Sequence, residues 1–373
     1  MKYAILNIVL LIAMLGVFVF VVWYTAYRLH KHFRSIPFWL FQIFIAVAAI
    51  GSLAAAGFTM KFSNPFAGFI NIIGGYVLLF LIYSFFSLVI LQIIQLKWKL
   101  PLIWSGTAAL GIAFIVTTAG AVIGSTFIIK ETEIGISNLE KELTIMQISD
   151  VHLGHQRGRN YLAKIVDETN KRNPDLVLIT GDLIDGESAF LPGVLDPLSS
   201  FKAPVYFVKG NHEVYSNAER VLNLIREQNV HIIHNEVIET HGIQLIGLDY
   251  MKADEETFDM HPSDHTDTVK SILAKILLKN GVPSILMSHS PVGVQYANAA
   301  GINLMLSGHT HGGQIFPFSL FAKLSFPFNS GTYQQGNTKV FVSNGAGTFM
   351  IRARLGSFNE INLLRLAPGS FSE

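Results

Sequence analysis

Side chains of the kind that bind metal ions recur in five short clusters along the second part of the chain. The clusters read ISDVH, TGDLID, KGNHE, MSHS and SGHTH, and each follows a short apolar run. Imidazole, carboxylate and amide groups without thiolate suit a divalent ion such as Mn²⁺, Fe²⁺, Zn²⁺ or Mg²⁺. The residues concerned are Asp150, His152, Asp182, Asp185, Asn211, His212, His289, His309 and His311.

These candidates are too numerous for one tetrahedral site, whereas two ions that share a carboxylate would use them all. A pair of ions about 3.5–4 Å apart can hold the attacking and leaving oxygens of a phosphoryl displacement. Glycines at Gly181, Gly210 and Gly308 precede three of the candidates and should let the backbone turn sharply there. The pattern therefore predicts metal-dependent chemistry on phosphate esters.

The elements that must position these side chains are those of an α/β domain. Helical patterns alternate with apolar runs typical of buried strands. Strands are predicted at 143–148, 176–179, 205–208, 244–248, 284–287, 303–306 and 339–342, with further strand at 231–240 and 359–366. Helices are predicted at 161–171, 218–228 and 268–278. Sites in α/β sheets form outside the carboxyl ends of the strands, so the five clusters can converge on one point.

The first third of the chain has a different character. Half of all residues are hydrophobic and the mean hydropathy is +0.42, values that indicate membrane segments. Four apolar stretches of spanning length lie at 4–26, 37–59, 65–95 and 102–125. We therefore predict a transmembrane region of four helices at 1–128 and a second domain at 129–373.

Charge predicts how the membrane region is oriented. The first connection between spans carries three basic residues and the third carries two, whereas the second carries only Lys61. The positive-inside rule then places the second domain outside the cytoplasm. A cleavable signal peptide at 1–26 is less favoured, because the strong positive cluster follows the apolar core. No span contains an ionisable residue, which favours an anchor or a lipid-facing surface over a transporter.

Taken in order, the motifs D-x-H, G-D-x-x-D, G-N-H-E, a lone histidine after a strand, and G-H-x-H resemble those of the calcineurin-like metallophosphoesterases. The resemblance covers about residues 145–313. The segments GHTHGGQ and GTYQQGNTKVFVSNGAGT are similar to the bacterial membrane-associated branch of that family. The resemblance implies a two-sheet sandwich flanked by helices, with two divalent ions.

It also implies a role for each motif residue. The first ion would be bound by Asp150, His152 and His311, the second by Asn211, His289 and His309, and Asp182 would bridge them. A metal-bound hydroxide would attack phosphorus. His212 would contact the phosphoryl oxygen or protonate the leaving group, and Asp185 would orient its ring.

Two further stretches bear on the substrate. The run IFPFSLFAKLSFPF after His311 is rich in phenylalanine, and its two prolines predict a loop without a long regular element. Core packing and a loop that dips into the outer leaflet are both open interpretations. The run DMHPSDHTD at 259–267 is interpreted as a polar loop, and a substrate-facing insertion is less favoured.

We therefore expect a membrane-anchored phosphohydrolase acting on phosphomonoesters or phosphodiesters, with membrane lipids as partners and a substrate that could be lipid-linked. The alternative is a membrane sensor or transport-associated protein whose metal-binding domain is regulatory. From Glu131 onward, 19 basic residues face all 26 acidic ones. Nucleic acid is therefore an unfavoured partner, since its binding depends on lysine and arginine.

Overall fold

Four long helices form the first part of the chain in the computed structural model. The structure describes residues 2–98, 102–251, 253–257, 259 and 266–369, with side chains from residue 15 in the first helix and from residue 104 in the fourth. The helices are α1 (Lys2–His32), α2 (Phe38–Thr59), α3 (Pro65–Lys97) and α4 (Leu102–Gly124). Each coincides with a predicted apolar stretch.

Three of these helices are long and apolar enough to span a membrane, against the four predicted. They are α2, α3 and the Trp104–Gly124 part of α4. The predicted first span at 4–26 is helical, but the side chains of residues 4–14 lie outside the described part. The protein is a membrane protein by these three helices, and the fourth span stays a prediction.

Twelve strands and six α-helices follow in the described part of the chain. The strands are β1 (Ile128–Ile136), β2 (Leu143–Ile148), β3 (Leu176–Ile179), β4 (Val205–Phe207), β5 (Val230–Ile232), β6 (Glu236–Thr240), β7 (Ile243–Leu248), β8 (Ser284–Ser288), β9 (Leu304–Ser307), β10 (Gly331–Gln335), β11 (Thr338–Val342) and β12 (Glu360–Pro368). The helices are α5 (Arg159–Arg172), α6 (Asn211–Tyr215), α7 (Ala218–Arg226), α8 (Val269–Leu273), α9 (Val294–Ala299) and α10 (Phe318–Ser325).

The strands form two six-stranded mixed sheets. The first has the order β1-β12-β2-β3-β4-β5 and the second β10-β11-β9-β8-β7-β6. Strands β2 to β5 run parallel, as do β7, β8, β9 and β11. The carboxyl ends of the parallel strands in each sheet therefore lie at one edge.

Alternating apolar side chains pack the sheets against each other and against helices. In β2, Ile145 lies in the core between the sheets, and Met146 lies in the core that β2 shares with α5. In β8, Ile285 belongs to the core between the sheets and Leu286 to a third core with α9. Each such buried side chain contributes about 1.5–3 kcal/mol. The predicted sandwich flanked by helices is confirmed.

The chain divides into two compact units. One comprises residues 1–59 and 69–121, and the other comprises 60–68 and 122–373. The connection between α2 and α3 thus belongs to the unit that contains the sheets. Within that unit, the backbone N–H of Glu187 donates to the carbonyl of Met60 at 3.1 Å.

Strands β1 and β10 lie where the sequence predicted no strand, and two other features of the fold also differ from the predictions. The phenylalanine-rich run contains α10 and is not a loop, because its prolines bracket the helix without interrupting it: Pro317 is the N-cap and Pro327 follows the end. Helix α8 ends at Leu273, short of the predicted 278, and Thr268 caps its start by accepting a hydrogen bond from the Ser271 N–H.

Candidate metal centre

The first group of ligand-type side chains combines both sheets. Asp150 and His152 follow β2, and His311 follows β9. The Nε2 atoms of His152 and His311 are 3.1 Å apart, and Asp150 Oδ1 is 3.5 Å from His311 Nε2. All three residues are buried and offer ligand atoms within 4.8 Å of one another.

The second group combines the ends of β4, β8 and β9. Asn211 Oδ1 is 3.1 Å from His289 Nε2 and 3.1 Å from His309 Nδ1, and those two nitrogens are 3.2 Å apart. Two ligand atoms that bind one ion at about 2.0–2.1 Å in tetrahedral geometry lie roughly 3.3 Å apart. The spacing therefore fits one ion with three protein ligands.

Asp182 lies between the two groups. Its Oδ2 is 3.1 Å from His289 Nε2 and 3.9 Å from His152 Nε2. Its Oδ1 accepts a hydrogen bond from the backbone N–H of His212 at 2.9 Å, which fixes the carboxylate plane. A carboxylate in this position can contribute to both groups, which is the role that the resemblance implies for Asp182.

The backbone at the candidate ligands is strained. Five of the seven have positive φ, a conformation that costs a residue other than glycine of order 1–3 kcal/mol and that clusters at functional sites. The surrounding sheets must hold this conformation against that cost. The residues are Asp150 (φ 52°), His152 (φ 51°), Asp182 (φ 53°), His309 (φ 73°) and His311 (φ 51°).

The glycines before the ligands serve two purposes. Gly181 has φ 88°, so it provides the sharp turn that the sequence predicts. Gly210 and Gly308 do not have positive φ, and instead allow close approach. A Cβ at Gly210 would overlap Asp182 Oδ1, and one at Gly308 would overlap Asp150 Oδ2.

His212 and Asp185 form a pair beside the first group. His212 Nδ1 lies 3.0 Å from Asp185 Oδ1, and Asp185 Oδ2 lies 3.5 Å from His152 Nδ1. Burial alone would raise the pKa of Asp185, but hydrogen bonds from both histidines hold it well below its usual value. Burial lowers the pKa of His212, yet the charge of Asp182 and the bond to Asp185 raise it to about 9. The carboxylates around His212 thus favour its protonated form, and Asp185 holds its ring.

Sequence reasoning gave no role to Glu213, the last residue of KGNHE. Its carboxylate is fully buried and accepts four backbone hydrogen bonds: Oε1 from Leu183 and Ile184, and Oε2 from Asp182 and Gly210. It thereby fastens the loop after β3 to the loop after β4. The motif itself signalled this position, since an acidic residue directly follows Asn211 and His212.

Arg354 was also missed, because it lies more than forty residues beyond the last motif. It is fully buried, and its guanidinium donates to the carbonyls of His311 at 2.6 Å and Gly347 at 2.8 Å. Burial, His152 and Arg354 together lower the pKa of His311 well below its usual value. His311 therefore stays neutral, as a metal ligand must.

Asp259 lies in the run interpreted as a polar loop, but its side chain is buried beside the second ligand group. Its side chain is 2% exposed, and Oδ1 lies 3.3 Å from His309 Nε2. The run has no periodicity that points to the site, so only the tertiary structure reveals this contact. Residues 260–265 of the run lie outside the described part of the chain.

A cavity of about 520 Å³ opens onto both ligand groups. Its polar floor includes Asp182, Asn211 and His212. Its walls are mostly apolar and consist chiefly of Ile315, Phe318, Phe321, Phe326, Phe349, Met350 and Ile351. A phosphate held at the floor would thus have an apolar substituent lying along the walls.

The donor set fits a pair of divalent ions. It comprises two carboxylates, one amide oxygen and four imidazoles, with spacings that match shared coordination and no thiolate. The structure thus brings together all seven residues predicted as ligands, and places His212 and Asp185 next to them. The sandwich and this donor set define a candidate dinuclear metal centre at the strand ends.

Comparison with known proteins shows a similarity to calcineurin-like phosphoesterases. Residues 143–313 match the family model of the calcineurin-like phosphoesterases. The chain is 37% identical over 245 residues to an uncharacterized metallophosphoesterase of Helicobacter pylori strain J99, and the aligned region covers 64% of each protein. It is 36% identical over 244 residues to a Bos taurus transmembrane protein with metallophosphoesterase domain, covering 61% of this chain and 54% of that protein. Residues 143–313 thus match a calcineurin-like phosphoesterase domain, and the chain is similar to proteins named metallophosphoesterases.

The matches are partial in length. The chain spans 63–64% of the bacterial metallophosphoesterases of Helicobacter pylori and Campylobacter jejuni that it resembles. Among solved structures, a 5′-nucleotidase precursor from Thermus thermophilus aligns with 60% of this chain and 55% of its own, at 14% identity and a TM-score of 0.35.

Proposed function

We propose that the protein is a membrane-anchored phosphohydrolase that cleaves phosphomonoesters or phosphodiesters with two divalent ions. The observation that carries this proposal is the pair His212 and Asp185 beside the two ligand groups. Binding or storing metal does not need a histidine that is held by a carboxylate beside the ligands and is not itself a ligand. Hydrolysis needs such a group.

Each side chain has a defined part in this reaction. Asp150, His152 and His311 hold one ion, Asn211, His289 and His309 hold the other, and Asp182 contributes to both. Bound divalent ions supply an acidified water and neutralise phosphoryl charge.

The other residues handle protons and position. Asp185 accepts from His212 Nδ1, which leaves Nε2 as the nitrogen for the substrate. His212 then donates a proton to the leaving oxygen or a hydrogen bond to the phosphoryl group.

Hydrolysis assays with full-length protein test this function. The purified protein in detergent is loaded with Mn²⁺ and given a chromogenic phosphodiester and its monoester counterpart. His212→Ala should lower kcat by about 10²–10⁴ while Mn²⁺ stoichiometry stays the same. Asp182→Ala serves as the control that loses both metal and turnover. Wild-type protein that binds two ions but cleaves neither ester, nor any lipid extract, would support the sensor alternative.

We also propose that the natural substrate is lipid-linked. No residue of α10 is buried, and the exposed fractions of Phe318, Phe321 and Leu324 are 45%, 64% and 84%. Large apolar patches of this kind mark interaction surfaces, and here the patch continues into the cavity walls. Phe326 contacts the His309 ring with centroids 5.9 Å apart, so the apolar wall reaches the candidate ligands themselves.

Two substrates that differ in the length of their alkyl chain test whether the natural substrate is lipid-linked. Two phosphodiesters with the same chromogenic leaving group carry an ethyl or a dodecyl chain. Phe321→Ser should lower kcat/KM for the dodecyl ester about tenfold, since about 1.4 kcal/mol of apolar contact is lost, and leave the ethyl ester unchanged. Leu277→Ser is the matched control, because Leu277 is 91% exposed and does not line the cavity. Equal effects on both esters would rule out a lipid chain on this wall.

The charge of the connections supports an extracytoplasmic catalytic domain, in a multi-pass membrane protein. A reporter that is active only outside the cytoplasm, fused after the last residue, tests this orientation. Activity of the fusion is expected, and its absence together with activity of a cytoplasmic reporter would reverse the topology.

A further inference from the structure

Asp259 lies at the second ligand group although it comes from the segment between β7 and α8. We propose that Asp259 is a positioning residue for the second metal ion: its carboxylate faces Nε2 of His309 and keeps the ring turned with Nδ1 toward the ion. This inference rests on the two-ion function proposed above. Asp259 belongs to none of the five motifs.

The geometry of His309 fixes which nitrogen binds. Nδ1 lies 3.1 Å from Asn211 Oδ1 and 3.2 Å from His289 Nε2, so it is the nitrogen inside the ligand group. A neutral imidazole carries one hydrogen, and the ligating nitrogen must be free of it. The hydrogen therefore lies on Nε2, which is 3.3 Å from Asp259 Oδ1.

The two histidines of this group have different partners behind them. His289 Nδ1 lies 2.8 Å from the carbonyl oxygen of Thr180 and donates to it, so its partner is neutral. His309 faces a carboxylate. A carboxylate that faces the N–H side of a ligating imidazole raises the basicity of the ligating nitrogen. His309 should therefore be the stronger imidazole donor of the two.

The charges of the two groups explain why a carboxylate is useful here. In the assignment proposed above, the first ion has Asp150 and the shared Asp182, whereas the second has only the shared Asp182 together with neutral ligands. Asp259 adds a negative charge one imidazole ring away from the second ion. Removing this charge should weaken the binding of the second ion and leave the binding of the first nearly unchanged.

Asp259 is itself held in place. Its Oδ2 accepts a hydrogen bond from Ser290 Oγ at 2.8 Å, and the Tyr250 hydroxyl also bonds to it. Ser290 directly follows the ligand His289, and Tyr250 follows the end of β7. The carboxylate is therefore tied to the same edge of the second sheet as the histidine it contacts.

Mn²⁺ binding to full-length protein in detergent tests the proposal. Isothermal titration and electron paramagnetic resonance give the dissociation constant of each ion. Asp259→Asn should raise the Kd of the second ion about 10–100-fold and leave the first within a factor of two or so. Asp267→Asn is the matched control, because it removes a charge from the same segment at a side chain that is 41% exposed. An unchanged second Kd in Asp259→Asn would overturn the proposal.

A double-mutant cycle separates positioning from direct contact. In a His309→Ala background, Asp259→Asn should cause no further loss, because its effect passes through His309. A further loss there would mean that Asp259 binds the ion itself, and would overturn the positioning role. If Asp259→Asn changes the far-UV circular dichroism, Ser290→Ala replaces it, with a smaller rise in the second Kd expected. Wild-type protein that binds fewer than two ions would instead overturn the two-ion function.

Discussion

Replacing Glu213 with glutamine removes one charge and one acceptor from the carboxylate that joins two ligand loops. Glu213 accepts hydrogen bonds from the backbone N–H groups of Asp182, Leu183, Ile184 and Gly210 at 2.8–3.1 Å. Glutamine keeps one oxygen, which can satisfy two of these donors. The NH₂ group of the glutamine would face the other two backbone N–H groups. Those two groups would then have no acceptor.

The size of the effect follows from the number of bonds lost. Each buried N–H left without an acceptor costs about 1–3 kcal/mol, so Glu213→Gln should destabilise the loops by roughly 2–6 kcal/mol. Alanine would leave all four donors without the carboxylate and should cost more. Native domains are stable by about 5–15 kcal/mol, so both changes are large.

Hydrogen exchange of the full-length protein in detergent is the suitable assay. All four tryptophans precede residue 105, so tryptophan fluorescence would not follow the sheets. Exchange of the amides at 182–184 should become at least about 30-fold faster in Glu213→Gln, which corresponds to about 2 kcal/mol. The melting temperature should fall by at least about 4 °C.

A control and a refuting result complete the test. Glu140→Gln removes the same charge from an exposed position in the same unit and should change neither exchange nor melting. Wild-type exchange at 182–184 in Glu213→Gln would refute the view that this carboxylate holds the ligand loops together.

Two further predictions concern other buried charges. Burial would raise the pKa of Asp249, but its bond to His234 and the charge of Lys209 lower it. The stability this gives is complete above the unfolded carboxyl pKa of about 3.9 and is lost as the pH falls through the lower folded pKa. The stability advantage over Asp249→Asn, measured by urea unfolding, should therefore shrink below about pH 4, and an advantage independent of pH would contradict this. Arg354→Lys should lose at least one hydrogen bond to the carbonyls that Arg354 holds, and should lower the melting temperature. It should also weaken the binding of the first ion, because Arg354 holds His311. Mn²⁺ binding equal to that of the wild type would contradict this prediction.

The sequence predicted those parts of the fold whose causes are local. β3 and β8 are buried on both faces and contain the apolar runs LVLI and ILM, β2 has four apolar residues of six, and the polar clusters after them are short and ordered. By contrast, β1 is an edge strand of the first sheet that carries Lys130, Glu131 and Glu133, and only two of its nine residues are buried. A strand whose pattern depends on such partial burial has no strong period in its sequence.

The difference between local and tertiary causes also explains which site residues the sequence predicted. Each sheet contributes a carboxylate that backs a candidate ligand histidine: Asp185 lies 3.5 Å from His152, and Asp259 lies 3.3 Å from His309. Asp185 is three residues from Asp182 in one motif, so the sequence alone marks it. Asp259 reaches His309 across fifty residues, through a segment that belongs to no motif and has no period. Contacts of that kind depend on how the second sheet is assembled, and the sequence carries no local signal for them.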